Sequence, residues 1–140
     1  MHTILGINGA TGPELAAELR KQNIKVRGVS RRPFPGDWEH RQADVTNLAE
    51  VLDVVDGSSV VYLLVGLEYD IRVWRRDWPV VIENVIQACL NNNAKLVFLD
   101  NVYAYGLVNG PMAENSPIRP NSEKGKVRAR LVQLLFNAAQ

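Results

Sequence analysis

The sequence predicts an α/β fold: one doubly wound parallel sheet, strand order 3-2-1-4-5, in a single domain spanning residues 1–140. Three observations predict it. Short apolar runs alternate with longer amphipathic stretches along the whole chain, which is the pattern of strands joined by helical crossovers. The run Ser59–Val65 is continuous in β-branched residues and leucine, as suits a strand covered on both faces. A glycine-rich turn stands between the first apolar run and the first amphipathic stretch.

The elements follow in order. Thr3-Ile4-Leu5 is a short strand stopped by Gly6. Pro13–Gln22 is a helix with Leu15, Ala16 and Leu19 on one face and Glu14, Glu18 and Lys21 on the other, and Pro13 suits its first turn, where no backbone N–H is needed. Ile24–Val29 alternates as a strand, Arg31–Arg41 is a proline-containing loop, and Arg41–Val45 is expected as a short strand. Thr46 is the expected N-cap of a helix over Asn47–Val55. Ser59–Val65 is the fourth strand, Trp74–Asn91 a longer helix and Lys95–Leu99 a further buried strand. Asn101–Pro120 holds three prolines and reads as an irregular loop, and Ser122–Ala139 is a last helix.

Composition narrows the functional classes. The 140 residues are 46% hydrophobic and 22% charged, the proportions of an ordinary globular domain. Sixteen Lys+Arg balance fifteen Asp+Glu, so bulk charge gives no reason to expect a nucleic-acid or membrane partner. One cysteine, Cys89, and two histidines, His2 and His40, exclude an internal disulfide and a zinc cluster built on them. The N-terminus has no basic segment before an apolar run, so the expected setting is cytoplasmic.

The chemistry concentrates at Gly6-Ile-Asn8-Gly9-Ala10-Thr11-Gly12. Its first glycine permits a tight turn, the second lets backbone approach a pyrophosphate, and the third lets helix and strand pack closely, while the helix N-terminus offers amide donors to phosphate. Val29-Ser30-Arg31-Arg32 ends the second strand. A site preferring NAD places a carboxylate there, on the ribose 2′-hydroxyl. Here the slot is Ser30, and Arg31 and Arg32 can fork onto a 2′-phosphate, so NADP is the expected cofactor and NAD the alternative. Asp44-Val45 has two readings: an adenine contact, or a carboxylate serving the helix start beside Thr46. Val65-Gly66 ends the fourth strand, where a small residue leaves room for the middle of a cofactor.

These residues, together with Lys95-Leu-Val-Phe-Leu-Asp-Asn-Val-Tyr-Ala-Tyr-Gly106 and Glu114-Asn-Ser-Pro117-Ile-Arg-Pro120, resemble the extended short-chain dehydrogenase/reductase family, the NAD-dependent epimerase/dehydratases. The resemblance covers nearly the whole chain. It implies a Rossmann-like domain and NAD(P)-dependent hydride exchange with a small hydroxyl or carbonyl substrate, as epimerase, dehydratase or reductase. It also implies a tyrosine acid/base with a lysine four residues later. Aligned from Pro120, those positions are Lys124 and Arg128, and the family's Ser/Thr position is Asn101, so the dyad is absent. Asn101 can still hydrogen-bond a carbonyl, Tyr103 is a phenol that can stand in as acid/base, and Lys124 can supply the cation. Tyr105 and Tyr69 read as structural and loop aromatics. Asp100–Gly106 and Lys124–Ala129 are similar to a subgroup of the superfamily. The resemblance further implies a C-terminal substrate part beyond this chain's length, and so an exposed sheet edge. The competing functional class is a non-catalytic NADP-binding sensor or regulatory protein.

Trp74, Trp78, Val81, Val85 and Cys89 form one stripe on the long helix. It covers the sheet, with Trp74 the candidate contact for a homodimer. Arg72, Arg75 and Arg76 are read as solvated charges, or as contacts for an anionic substrate.

Overall fold

The computed structural model describes residues 1–140. Its five strands are β1 (His2–Leu5), β2 (Val26–Ser30), β3 (Glu39–Gln42), β4 (Val60–Leu63) and β5 (Lys95–Phe98). They form one parallel sheet in the order β3-β2-β1-β4-β5, as expected. The helices are α1 (Gly12–Lys21), α2 (Leu48–Val55), α3 (Ile71–Asn92) and α4 (Glu123–Ala138). Two compact units divide the chain. The first holds Met1–Gly66 and Glu83–Leu99, with the whole sheet, and the second holds Leu67–Ile82 and Asp100–Gln140.

In the first unit, Ile4, Ile7, Ala16, Leu19 and Val26 form a buried cluster where β1, α1 and β2 meet. Burial of each large aliphatic side chain contributes about 1.5–3 kcal/mol. Arg27 breaks the apolar pattern of β2. Its Nη1 donates to the carbonyls of Val54 and Asp56, each at 2.8 Å, and its Nε to Glu39 Oε1 at 3.0 Å. The guanidinium thus satisfies carbonyls at the C-terminus of α2 that have no partner within the helix.

Several expectations need correction. β3 begins and ends earlier than Arg41–Val45, because Glu39 pairs with Arg27 across the sheet and the register runs from there to Gln42. Asn47, not Thr46, caps α2: its side chain accepts from the backbone N–H groups of Ala49 and Glu50. The Thr46 hydroxyl donates instead to Asp44 Oδ1 at 2.7 Å. β4 is not buried on both faces throughout. Val61 and Leu63 are buried, whereas Val60 and Tyr62 are half-buried. β5 is an edge strand rather than a buried one, with Val97 38% and Leu99 53% exposed.

In the second unit, Asp70 Oδ1 accepts from the Arg72 N–H at 2.7 Å at the start of α3, so the helix begins at Ile71 rather than near Trp74. The irregular stretch after β5 contains a single 3₁₀ turn, Val102–Tyr105. Ser122 Oγ caps α4 by accepting from Gly125 N–H at 3.0 Å. Trp74 is 4% exposed and packs edge-to-face on Trp78, with ring centroids 6.1 Å apart. It therefore presents no surface to a second copy, and the expected dimer contact falls away.

Candidate functional site

The first unit carries the glycine turn. Gly6 adopts φ +95°, and a Cβ there would lie 2.8 Å from the backbone nitrogen of Val65. A Cβ on Gly12 would overlap the carbonyl of Ile7. Both positions bring backbone against backbone, which only glycine allows. Gly9 N–H donates to Gly6 O at 3.0 Å and closes the turn. Asn8, Gly9, Ala10 and Thr11 face solvent. Thr11 stands at the N-cap of α1 without a side-chain capping bond, so the first amides of the helix and its positive dipole end are offered to an outside acceptor. A phosphate chain fits this cradle. Val65 is half-buried, and Gly66 is exposed with open space where a side chain would stand.

At the end of β2, Ser30 is buried. Its Oγ donates to the carbonyl of Arg32 at 2.6 Å and lies 3.1 Å from His40 Nε2. Gln42 Nε2 donates to the carbonyl of Arg31 at 3.3 Å. Arg31 and Arg32 extend into solvent. Asp44 Oδ1 accepts from Thr46 N–H at 2.9 Å and from its hydroxyl, so this carboxylate serves the turn into α2. Val45 is buried, and its carbonyl accepts from Asn84 Nδ2 at 3.1 Å.

The second unit brings Tyr103 and Lys124 to Tyr69, with Asn101 beside Tyr103. The Asn101 side chain caps the 3₁₀ turn by accepting from Tyr103 N–H at 3.0 Å. The Tyr103 ring stacks on Trp74, with centroids 6.2 Å apart, and its hydroxyl shares a 3.2 Å hydrogen bond with that of Tyr69. Lys124 Nζ donates to the carbonyl of Tyr69 at 3.2 Å and sits 3.4 Å from the centre of its ring. Tyr69, Ile71, Tyr103, Ser122, Glu123 and Lys124 line an open cavity of about 450 Å³. The hydrogen bond to Tyr69 holds the Tyr103 phenol above its ordinary value, and Lys124 and Arg128 only partly oppose it.

Arg128, at the family's lysine position, is buried. Its guanidinium lies 4.0 Å over the Trp78 ring and 4.8 Å over that of Trp74, and Nη1 is 3.2 Å from Asp100 Oδ1. Arg72, Arg75 and Arg76 are solvent-exposed, as expected, and each also pairs with a carboxylate: Asp70, Glu123 and Asp77 respectively. Cys89 is buried, and desolvation pushes its thiol up to about 11, which leaves it inert. No group of three or more His, Cys, Asp or Glu is placed to hold a metal ion, and no helix is long and apolar enough to cross a membrane. Sequence reasoning missed His40 and passed over Tyr69. Their partners are distant in the chain, and no local spacing signals them.

The profile of the NAD-dependent epimerase/dehydratase family matches residues 2–138. The chain belongs to that family. No curated protein sequence matches it. Among solved structures, this epimerase/dehydratase family chain resembles MoeE5 in complex with UDP-glucose and NAD. The identity is 25% and the TM-score 0.82, with 99% of this chain and 48% of that one covered. The enzyme WbmH of Bordetella bronchiseptica, in complex with NAD+, is 21% identical with TM-score 0.83, covering 98% and 52%. The UDP-Glc/GlcNAc 4-epimerase of Campylobacter jejuni is 15% identical with TM-score 0.84, covering 99% and 48%. The latter two likenesses concern the fold alone. The chain spans about half the length of these proteins.

Proposed function

We propose that this chain is the dinucleotide-binding portion of an NAD(P)-dependent epimerase/dehydratase or reductase-like protein that exchanges hydride with a hydroxyl or carbonyl substrate. The observation that carries the reading is the glycine turn, where Gly6 lies against the Leu64–Val65 backbone, Gly12 at the start of α1 lies against Ile7, and Asn8–Thr11 between them are exposed. MoeE5, bound to NAD, supports a nicotinamide dinucleotide as the cofactor class. Gly6, Asn8, Gly9, Ala10, Thr11 and Gly12 would hold its phosphates, Arg31 and Arg32 beyond Ser30 a 2′-phosphate, Asp44 and Val45 the adenine end, and Val65 and Gly66 its middle. When bound, the nicotinamide supplies the hydride acceptor or donor. The chain's own contribution to the chemistry is assigned to Asn101 as a carbonyl donor, Tyr103 as the phenol and Lys124 as the neighbouring cation.

One observation favours a second reading, a non-catalytic dinucleotide-binding sensor or regulatory protein. The positions of the family's tyrosine and lysine hold Lys124 and Arg128, and the Tyr103 hydroxyl is engaged by that of Tyr69 at 3.2 Å.

Calorimetric titration of the full chain with NADPH and with NADH tests the cofactor reading. Tighter binding of NADPH is the expected result. Equal binding removes the 2′-phosphate assignment, and failure of a folded chain to bind either removes the proposal. Oxidation or reduction of bound cofactor by alcohols or carbonyls would separate enzyme from sensor.

A further inference from the structure

The residue in the slot that meets the adenosine ribose in dinucleotide-binding folds is Ser30, and its hydroxyl is already committed. Ser30 is 5% exposed, and its proton is given to the Arg32 carbonyl at 2.6 Å. Because that oxygen is the donor there, the 3.1 Å contact with His40 Nε2 has the imidazole donating. One bond beyond, Gln42 Nε2 holds the Arg31 carbonyl. Both carbonyls of the arginine pair are therefore fixed by side chains of β2 and β3, while both guanidinium groups stay in solvent. The far end of the same loop is anchored too: Trp38 stacks on Phe34, with centroids 6.1 Å apart and planes 12° from parallel, and a Cβ on Gly28 of β2 would lie 2.9 Å from the indole. A loop pinned at both ends presents its charges without losing backbone freedom on binding.

We infer that Ser30 and His40 are positioning residues which set the Arg31–Arg32 backbone for a nucleotide bearing a 2′-phosphate, and that Ser30 is not itself a ligand of the ribose. The inference rests on the NADP reading above and adds His40 as a specificity-determining residue acting through Ser30. Without the latch the arginine turn must be ordered by the ligand. The loss then falls on the phosphate contact alone.

The test is calorimetry of the full chain with NADPH and NADH, on Ser30→Ala, His40→Ala, Ser30→Thr and an Arg31→Ala/Arg32→Ala pair. Ser30→Ala and His40→Ala are expected to weaken NADPH by about 3- to 10-fold and leave NADH within about twofold. Ser30→Thr keeps the hydroxyl and is expected to keep the NADPH preference. In the background lacking both arginines, Ser30→Ala is expected to have no further effect. Equal weakening of both nucleotides, or a Ser30→Ala effect that persists without the arginines, would overturn the inference. A wild-type NADPH preference that survives both alanine substitutions would sink it alone, whereas wild-type binding without preference would remove the 2′-phosphate reading beneath it.

Discussion

Arg128 places a guanidinium against two indole rings and next to a carboxylate, with 7% of its side chain exposed. Removing that charge strands Asp100, whose carboxyl burial already raises above the ordinary range. Arg128→Met keeps the apolar stem and is expected to cost about 1–3 kcal/mol in urea unfolding, less than a fully enclosed pair because the Asp100 side chain is 24% exposed. The direction of the Asp100 shift fixes a pH dependence. A raised carboxyl binds its proton more tightly in the folded state. Its contribution is present below the unfolded value and lost as pH rises through the folded one. Asp100→Asn should therefore gain stability relative to wild type as pH rises above the ordinary carboxylate range of about 4. A relative stability that stays flat as pH rises would count against a buried, ionising Asp100. Asp70 runs the other way: Arg72's hydrogen bonds hold it down at about 2, so its contribution is lost as pH falls from 3.8 toward that value. Residues of this kind were poorly legible in the sequence. Arg27, Tyr69 and His40 take their roles from partners 27, 34 and 10 positions away, and nothing adjacent marks them.

Helices and strands were legible where burial is one-sided or complete. The face of α1 carrying Ala16 and Leu19 matches the expected periodicity, whereas β2, read as alternating over Ile24–Val29, runs from Val26 to Ser30 and is buried at every position. β3 was misplaced because Glu39-His40-Arg41-Gln42 has no apolar member; it is held by the ladder and by Arg27 rather than by a core face. The cap of α2 was misassigned for a related reason: Thr46 and Asn47 are both good caps by type, and the choice is made by Asp44, which takes the threonine hydroxyl. Asn47→Ala is expected to destabilise by about 1 kcal/mol through loss of the cap. The glycine turn gives a sharper test at this scale. Gly6→Ala forces a side chain onto a residue at φ +95° and toward the Val65 backbone. It is expected to cost about 1–3 kcal/mol from strain and to abolish dinucleotide binding in calorimetry. An alanine variant that folds and binds normally would show that the close approach is not required.

Across the whole sheet, strands alternating with helices signal parallel pairing, which is why the order β3-β2-β1-β4-β5 was more legible than element boundaries, although β2 and β3 are joined without a helix. The two edges of that sheet differ in kind. β3 pairs only with β2 and carries Glu39, His40, Arg41 and Gln42, a charged rim that discourages further pairing. β5 pairs only with β4 and reads Lys95-Leu-Val-Phe98, with a single charge and with Val97 and then Leu99 exposed. An apolar edge with unpaired backbone groups is a template for another strand. The chain is therefore expected to self-associate through β5 as its concentration rises, read as an increase in sedimentation coefficient. Val97→Lys and Leu99→Lys place charge on that edge and should each reduce the association, whereas a charge reversal on β3, such as Glu39→Lys, should not, although it costs stability by opposing Arg27. Association that persists in both β5 variants would show that the apolar edge is not the contact. Loss of association in the β5 variants alone would assign the contact to the difference between the edges rather than to total exposed apolar area.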